Sequence, residues 1–274
     1  MINENFNQII NNTLKREFNF CIVENLVPIS TGWTNIVYKV ETNHGNYFFR
    51  FPRDEFWERT IVKDCQFANF IKSKTSFKTS DIHLGYDNSR PFSYHKEIPG
   101  KPLSDVMNSL SQNEIDKISF QICKFMNELH HIQFDKSQIF SIDNIGLNLN
   151  DFISELLDEH VSEDDKSFWK LYNFDGSNNC LVHGDFNSSN ILLDDNNNVV
   201  AVIDFGFGGF GNKYMDISRI IGRCPNNFKN SIISSYEKID NHFLDINLLD
   251  NDIEIWNNID SGYINYMKKI GIYE

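Results

Sequence analysis

The sequence predicts an α+β fold of two lobes, a small β-rich N-terminal lobe at residues 1–96 and a larger, mostly helical C-terminal lobe at residues 97–274. Strand-like segments and a hairpin turn dominate the first hundred residues, and helical periodicities dominate the rest. Residues 94–100 (YHKEIPG) are extended and end in two turn-forming residues, which predicts a hinge between the lobes. A chain of 274 residues that is 41% hydrophobic can bury a sizeable core.

The N-terminal lobe is predicted from a short helix, three strands and a longer helix, at residues 1–17, 20–29, 35–42, 46–51 and 55–73. The residues NHGN at positions 43–46 join the last two strands as a hairpin. The loop between the first two strands contains Gly32 and Thr34 and lies where a phosphate-covering loop belongs. Its single glycine matches the G-x-G-x-x-G pattern poorly, but its position predicts contact with a nucleotide.

Two further segments of this lobe are expected to bind a nucleotide. In phosphoryl-transfer enzymes with such a lobe, the third strand carries a lysine that reaches the phosphates and pairs with a glutamate on the next helix. Here the strand YFFRFP offers Arg50, and Asp64 occupies the position of the acid. A longer cation with a shorter acid preserves the reach of the pair. The alternative places Arg50 at the surface of the sheet edge. At the hinge, backbone groups of Lys96, Glu97 and Ile98 are expected to meet the base.

The C-terminal lobe is predicted to open with a helix that begins at a capping box of Ser111 and Glu114. Its apolar residues recur at a helical period and belong to the core, and His130 and His131 near its end are interpreted as structural. Residues 141–179 form a polar insertion with helical patches and an acid-rich segment. The chain then ends in two or three further helices.

The stretch LVHGDFNSSNILLDDNNNVVAVIDFG at residues 181–206 carries the pattern around which the chain is organised. Two apolar runs flank a polar turn, which predicts a β-hairpin. Asp185 and, five residues later, Asn190 precede the hairpin, and Asp204 of an Asp-Phe-Gly triplet follows it. This order and spacing match H-x-D-x-x-x-x-N and D-F-G in phosphoryl-transfer enzymes. Ordinary polar turns are the alternative, but they do not explain both halves together.

Phosphoryl transfer explains these residue types, because the group in transfer needs positioning and charge neutralisation. Asp185 can accept the proton of an attacking hydroxyl or orient that hydroxyl. Asn190 and Asp204 offer the oxygen ligands that Mg²⁺ prefers. His183 is interpreted as a structural residue that holds the loop, and Asp216 as a buried acid bonded to the backbone of the same loop.

Composition and charge exclude several classes of protein. The net charge is −13, with +2 on residues 1–102 and −15 on residues 103–274, so nucleic acid is not an expected partner. No apolar run reaches the ~18 residues of a membrane span, and the N-terminus has no secretory pattern. Five scattered cysteines predict neither disulfides nor a zinc site. We therefore expect a cytoplasmic protein without membrane contact, and a monomer.

The acidic C-terminal lobe predicts a cationic substrate, because a cleft of one sign concentrates the opposite ion. The acids singled out for this role lie in the polar insertion and in the last helices: Asp158, Glu159, Asp240, Asp245, Glu254 and Asp260. The alternative is that these acids only keep the protein in solution.

The segments HGDFNSSNILLD, VVAVIDFG and GNKYMDISRI resemble the aminoglycoside phosphotransferases and their choline-kinase-like relatives. YFFRFP and EIPGKPL look closer to the 2″-phosphotransferases and macrolide kinases within that group. The resemblance covers about residues 29–221 and implies a bilobal protein-kinase-like fold, ATP or GTP with Mg²⁺, and transfer to a hydroxyl of a small molecule. It makes Asp185 the catalytic aspartate, Asn190 and Asp204 the magnesium ligands, and Arg50 with Asp64 the phosphate-binding pair. The sequence departs from the family in having arginine where lysine is usual.

The sequence as a whole favours a small-molecule kinase whose acceptor is an aminoglycoside antibiotic, with resistance by O-phosphorylation as the consequence. Choline, a macrolide, or another hydroxylated metabolite such as an amino-alcohol or a sugar are the alternative acceptors. A nucleotide-binding pseudokinase is the alternative from another class of protein. The intact Asp185, Asn190 and Asp204 argue against that alternative, because binding alone does not need all three.

Overall fold

The computed structural model describes residues 4–18, 20–29, 32–133, 154–155, 158, 180–269 and 271. It confirms the predicted α+β fold of a β-rich N-terminal lobe and a mostly helical C-terminal lobe. The N-terminal lobe contains α1 (Glu4–Glu17), β1 (Val23–Ile29), β2 (Asn35–Thr42), β3 (Gly45–Pro52), α2 (Glu55–Ile71), β4 (His83–Asp87) and β5 (Arg90–Lys96). The C-terminal lobe contains β6 (Lys101–Pro102), α3 (Leu103–Val106), α4 (Gln112–His130), β7 (Cys180–Val182), β8 (Ile191–Leu193), β9 (Val199–Val202), β10 (Gly209–Gly211), α5 (Lys213–Ile221), α6 (Asn226–Asp240) and α7 (Ile246–Lys269).

Five antiparallel strands form the sheet of the N-terminal lobe, in the order β1-β2-β3-β5-β4. Side chains alternate across β3, so Tyr47, Phe49 and Phe51 pack on one face together with α1. Arg50 lies between two of these aromatic residues and points to the opposite face, where it meets Asp64 of α2. Alternation along one strand thus separates a hydrophobic face from the cation that it carries.

The long helices α2 and α4 both begin at side-chain caps. The Asp54 carboxylate accepts the Trp57 N–H at the start of α2, at 3.3 Å. Ser111 and Glu114 form the predicted capping box of α4, in which the Ser111 N–H donates to the Glu114 carboxylate at 2.8 Å. α4 packs along α6, and its apolar residues belong to the main hydrophobic core. The buried apolar residues of α4 are Ile115, Ile118, Ile122, Cys123, Phe125, Met126 and Leu129.

Two small antiparallel sheets in the C-terminal lobe hold the loops that carry the sequence motifs. β8 and β9 form the predicted hairpin, with Ile191 opposite Val202, and β6 pairs with β8 at the edge of this sheet. β7 pairs with β10 in the second sheet. The Ile203 N–H donates to the Asn190 carbonyl at 3.0 Å. The loop before β8 and the segment after β9 are therefore bonded to each other directly.

Residues 97–100 link the two lobes, because β5 belongs to the N-terminal sheet and β6 to a sheet of the C-terminal lobe. The division of the chain at residue 96 stays a prediction. Within the polar insertion, the structure describes only residues 154, 155 and 158, so its remaining predicted helical patches and acids lie outside the described residues. No helix in the described part of the chain is both long and apolar enough to cross a membrane.

Candidate active site

A cavity of about 420 Å³ lies between the two lobes, lined by the loop before β2, by β3 and α2, and by segments of the C-terminal lobe. It brings together predicted site residues that are far apart in the chain. Those that line it are Gly32, Thr34, Arg50, Asp64, Asp185, Asn190, Asp204 and Asp260. The residues predicted to bind phosphate, to hold metal and to orient a hydroxyl therefore surround one space.

Arg50 and Asp64 form an ion pair on the N-terminal side of the cavity, and both side chains are buried. Asp64 also accepts the Phe205 N–H at 2.7 Å through its second oxygen. Arg50 donates from Nε to Ser93 Oγ at 3.3 Å, and its Nη1 lies 3.5 Å from Asp204 Oδ1. Burial lowers the pKa of Arg50, but Asp64 and Asp204 outweigh burial and raise the pKa above its usual value. A permanent cation is thus fixed beside the Asp-Phe-Gly segment.

Asn190 and Asp204 present oxygen atoms to the same cavity. Asn190 donates its side-chain N–H to the Asp185 carbonyl at 2.9 Å, so the amide oxygen is the atom that can face a cation. Asp204 has a left-handed backbone conformation (φ +66°), which side-chain-bearing residues rarely adopt. The Asp204 side chain is half exposed, but partial loss of water at the cavity raises its pKa, and the carboxylates of Asp64 and Asp185 add to this effect while Arg50 opposes it.

These donors fit Mg²⁺, a hard cation that binds carboxylate and amide oxygens and keeps several water molecules. The described residues contain no group of three or more His, Cys, Asp or Glu side chains that would enclose a metal ion. A two-residue ligand set of Asn190 and Asp204 would need phosphate oxygens and water to complete an octahedral shell. A cation at this position would also relieve the repulsion between neighbouring carboxylates, an effect that contributes to the raised pKa of Asp204.

A buried carboxylate, Asp216 of α5, holds the loop between β7 and β8. Its oxygens accept the N–H groups of His183 (2.8 Å) and Gly184 (2.9 Å), and His130 Nε2 donates to it at 3.0 Å. His183 donates from Nε2 to the Ile203 carbonyl at 3.0 Å, because a carbonyl oxygen can only accept. The bonds of Asp216 and His183 are those expected of supporting residues. His130 joins this network from the end of α4, which helical periodicity alone did not predict.

The same loop requires glycine at position 184. Gly184 has φ +78°, and a Cβ on it would overlap the carbonyl oxygen of Phe207. The loop backbone therefore lies directly against the backbone that follows the Asp-Phe-Gly triplet.

Asp185 lines the cavity from this loop, and an arginine of α5 holds its carboxylate. Arg219 Nε and Nη2 lie 2.9 and 2.8 Å from Asp185 Oδ1, and Arg219 Nη1 lies 2.7 Å from Asp260 Oδ2. Arg223 binds the same Asp260 carboxylate. Burial lowers the pKa of Arg219, but the two carboxylates raise it above its usual value, so Arg219 stays charged. The sequence reasoning missed Arg219. Its spacing of three from Asp216, which puts both on one helical face, was the available signal.

Aromatic side chains from both lobes also line the cavity. The rings of Trp33 and Tyr263 stack with centroids 5.6 Å apart, and Trp57 meets Tyr263 edge-on at 5.8 Å. Trp256 donates its indole N–H to a backbone carbonyl of α5 at 3.1 Å, and the Arg219 guanidinium lies 4.6 Å from the centre of its ring. These residues are widely separated in the chain and form no spaced motif, so no sequence signal predicted this wall.

The predicted hinge residues Lys96, Glu97 and Ile98 do not line the cavity. The Glu97 carboxylate pairs with Lys39 at 2.7 Å and accepts the Asn46 side-chain amide at 2.6 Å. The Glu97 N–H donates to the Asn46 carbonyl at 2.8 Å. These bonds fasten the hinge to the N-terminal sheet and occupy the Glu97 N–H, which is one of the backbone groups expected to meet a nucleotide base.

Two of the acids predicted to bind substrate lie outside the cavity and bond to other groups of the C-terminal lobe. The Asp240 carboxylate binds Lys213 at 2.6 Å, between α5 and α6. The Asp245 carboxylate accepts the Asn247 N–H at 2.9 Å and caps the start of α7. Neither acid lines the cavity, so the structure gives no support to a substrate-binding role for either.

The remaining acids of that set differ in position. Glu254 and Asp158 are exposed and do not line the cavity, and Glu159 lies outside the described residues. Asp260 does line the cavity, but two arginines already bind its carboxylate. Net charge counts acids without showing which are paired, so the composition alone does not give the number of free carboxylates at the site.

A sequence model of the phosphotransferase enzyme family matches residues 25–238. The fold is similar to that in the GDP and kanamycin complex of APH(2")-IIia, with TM-score 0.69 and 18% identity over 92% of this chain and 89% of that chain. It is also similar to the apoenzyme of macrolide 2'-phosphotransferase MphH from Brachybacterium faecium, with TM-score 0.65 and 15% identity over 96% and 93% of the two chains. The streptomycin-ATP ternary complex of APH(2")-IIa gives TM-score 0.59 and 21% identity over 84% and 81%. All three share the kinase-like fold of this chain.

Proposed function

The chain belongs to the phosphotransferase enzyme family, as its motifs predicted, and on this premise we propose that it transfers the γ-phosphoryl group of ATP or GTP to a hydroxyl of a small molecule. One observation carries the proposal: Asp185, Asn190, Asp204 and Arg50 line a single cavity between the lobes. Phosphoryl transfer needs groups that position a hydroxyl, hold a divalent cation and bind phosphate. A pseudokinase that only binds a nucleotide has no use for all of these groups.

On the nucleotide side, Arg50 would bind the donor phosphates through its guanidinium, which Asp64 holds in place. Asn190 and Asp204 would hold Mg²⁺, which when bound neutralises charge on the phosphate groups. The backbone around Gly32 would cover the same phosphates from the loop before β2. These roles follow from the residues that line the cavity and from the chemistry of the donor.

On the acceptor side, Asp185 would take the hydroxyl proton or orient the hydroxyl for in-line attack. Arg219 occupies Asp185 Oδ1, so Oδ2 is the oxygen that would face the hydroxyl. The acceptor oxygen bonds to the γ-phosphorus as the bond from that phosphorus to the nucleoside diphosphate breaks. The products are a phosphate ester and a nucleoside diphosphate.

We place an aminoglycoside first among the acceptors. The net charge of −13 draws polycations towards the protein. Among the described residues, four carboxylates and three guanidinium groups line the cavity, which leaves it slightly negative. The structures of similar fold that contain kanamycin and streptomycin support the same acceptor class.

A macrolide is the second candidate, because the cavity has an aromatic lining. Trp33, Trp57, Trp256 and Tyr263 offer broad apolar surface. Asp260, the lining acid on the same helix as Trp256 and Tyr263, is neutralised by arginines. A large, weakly charged ring would gain more from such a surface than a polycation would. The macrolide 2'-phosphotransferase of similar fold supports this alternative.

A panel of acceptors tests the proposal. The protein is incubated with ATP or GTP and Mg²⁺, and with kanamycin, streptomycin, a macrolide or choline, and diphosphate release and product mass are measured. We expect an aminoglycoside to gain one phosphoryl group with the wild type, and to do so roughly 10²–10⁴ times more slowly with Asp185→Asn. Its KM should rise with salt, which screens exposed charges over about 10 Å at 0.1 M. Phosphorylation of the macrolide alone would move the assignment to the second candidate. No product from any acceptor with either nucleotide would contradict the proposed activity.

A further inference from the structure

Arg219 connects Asp185 to the last helix of the chain. Its Nε and Nη2 atoms lie 2.9 and 2.8 Å from Asp185 Oδ1, and its Nη1 lies 2.7 Å from Asp260 Oδ2. The Arg219 side chain is only 9% exposed, and it meets Asp185 and Asp260 side chains that are 26% and 14% exposed. We propose that Arg219 is a positioning residue for Asp185 and that Asp260 of α7 holds Arg219 in place. The inference rests on the proposed function and adds residues that lie outside its motifs.

The geometry explains why a guanidinium suits this task. Two N–H groups of a rigid fork bind one carboxylate oxygen, and this restrains the terminal torsion of Asp185, which is otherwise soft. Asn190 Nδ2 lies 3.4 Å from the other oxygen, Oδ2, on the side of the metal-binding residues. A general base must lie within about 2.6–3.2 Å of the atom whose proton it takes. Loss of the fork would therefore reduce the fraction of complexes in which the hydroxyl is aligned.

Helix α7 contributes a ring as well as a carboxylate. Trp256 lies one helical turn before Asp260, and the centre of its ring is 4.6 Å from the Arg219 guanidinium. Two of the three groups that hold Arg219 therefore belong to α7. The same helix lines the cavity with Tyr263. An acceptor that contacts α7 would consequently affect, through Arg219, the position of the Asp185 carboxylate.

Two other roles for Arg219 make different predictions. If the arginine acted only as a positive charge beside the phosphoryl group, lysine would replace it with little loss. If it only stabilised the fold, its substitution would lower the thermal midpoint, and the kinetic constants of the folded fraction would stay unchanged. Positioning predicts a fall in kcat with little change in the KM for nucleotide. Lysine has no planar fork and would not restore that loss.

The test uses the full chain and the acceptor identified in the panel. Arg219→Lys, Asp260→Asn and the double variant are compared with the wild type in kcat, in both KM values and in thermal midpoint. Asp240→Asn is the matched control. The Asp240 carboxylate is similarly buried and pairs with Lys213, and neither residue lines the cavity. We expect Arg219→Lys to lower kcat by about 10–10²-fold at a nearly constant nucleotide KM. Asp260→Asn should lower kcat by roughly 3–10-fold, and its effect should shrink when it is combined with Arg219→Lys. The control should lose thermal stability without a matching loss of kcat.

Wild-type turnover by Arg219→Lys would overturn the positioning role, as would additive effects of the two substitutions on kcat. If Arg219→Lys fails to fold, Asp260→Asn carries the test, and an unchanged kcat in that variant overturns the inference. If the wild type and all variants are fully active, the positioning role of Arg219 is wrong and the proposed function stands. A wild type that transfers phosphate to no acceptor overturns the proposed function together with it.

Discussion

The two sides of the cavity are held together in different ways. On the nucleotide side, Asp64 joins Arg50 to the backbone of the Asp-Phe-Gly segment, so a side-chain ion pair is fixed to the main chain. On the acceptor side, the side chain of Arg219 joins the Asp185 and Asp260 carboxylates, and α5 and α7 also meet where the Trp256 indole N–H donates to the Met215 carbonyl. A bond to a backbone N–H does not depend on which side chain that residue carries. A link between two side chains, in contrast, is lost when either residue is substituted, even if the main chain does not move. The proposed phosphate-binding arginine is thus held by an acid that is bonded to the main chain, whereas the proposed catalytic aspartate is held by the side chain of Arg219.

The largest effect is expected on the nucleotide side, from Asp204→Ala. This change removes the charged oxygen ligand, and a bound metal contributes several kcal/mol to the transition state, so turnover should fall by about 10³-fold or more. Asn190→Ala should lower turnover less, because it removes a neutral ligand. Initial rates measured across a Mg²⁺ titration check both changes. Wild-type activity that persists in excess chelator would contradict the assignment of these residues to magnesium.

Asp185→Asn tests the acceptor side at its centre. The amide keeps the size of the carboxylate but cannot take a proton, so turnover should fall by roughly 10²–10⁴. Nucleotide affinity should stay close to that of the wild type, because Arg50 and the metal ligands are unchanged. Diphosphate release gives kcat, and calorimetric titration gives the nucleotide Kd. Unchanged turnover would remove Asp185 from the mechanism, and an equal loss of nucleotide affinity would show that the two sides are not separable.

A double-mutant cycle sharpens the description of the nucleotide side. Arg50→Lys should raise the nucleotide KM by about tenfold, because lysine is shorter and lacks the fork that binds phosphate. Adding Asp64→Glu should recover part of this loss by restoring the reach of the pair. Recovery should be incomplete, since the longer acid would also have to keep its bond to Phe205 N–H (2.7 Å). Strictly additive changes would mean that the pair contributes no coupling.

A smaller effect is expected from the aromatic lining. Tyr263→Leu removes the ring that stacks on Trp33 and meets Trp57 edge-on. Such an aromatic pair contributes about 0.5–1.5 kcal/mol in addition to the free energy of burying its surface. The KM for the acceptor should rise by about 3–10-fold, and the nucleotide KM should hardly change. Steady-state kinetics with each substrate varied in turn separates the two constants. A rise confined to the nucleotide KM would show that Tyr263 belongs to the nucleotide side of the cavity and not to the acceptor side.

Lys63 of α2 belongs to neither side and should affect stability alone. Burial lowers its pKa from 10.5 to about 7, and Arg59 adds to this effect. Between those two pH values the unfolded state binds more protons than the folded state, so the free energy of unfolding should rise with pH by up to about 1.4 kcal/mol per unit. Lys63→Met should flatten this slope and leave both KM values unchanged. Denaturant unfolding at pH 7, 8 and 9 measures it, and an unchanged slope would contradict the role of Lys63.

The parts of the molecule with a local sequence signal were predicted well. The turn NHGN predicted the β2–β3 hairpin, and the polar turn between two apolar runs predicted the β8–β9 hairpin. The capping box of α4 required only Ser111 and Glu114. Each of these signals lies within a few residues, where backbone geometry and side-chain period fix the outcome.

The contacts on the acceptor side were not predicted, because they join residues far apart in the chain, although Asp185 and Asp260 were themselves candidate site residues. Arg219 and Asp260 are separated by 41 positions, and no spacing rule relates them. Asp240 and Asp260 look alike in the sequence, yet Asp240 binds Lys213 within the helical packing while Asp260 lines the cavity. Pairing between helices decides which acids are free, and only the folded chain shows that pairing.

The close approach at Gly184 sets how the site can move. Because a Cβ there would overlap the Phe207 carbonyl oxygen, two backbone segments touch without a side chain between them. One segment bears Asp185 and the other follows Asp204, so neither can slide along the other without first separating from it. Even alanine at this position would push the loop that bears Asp185 away from the segment that follows Asp204. Under the proposed function, a shift of the segment that follows Asp204 would therefore also shift the loop that carries Asp185.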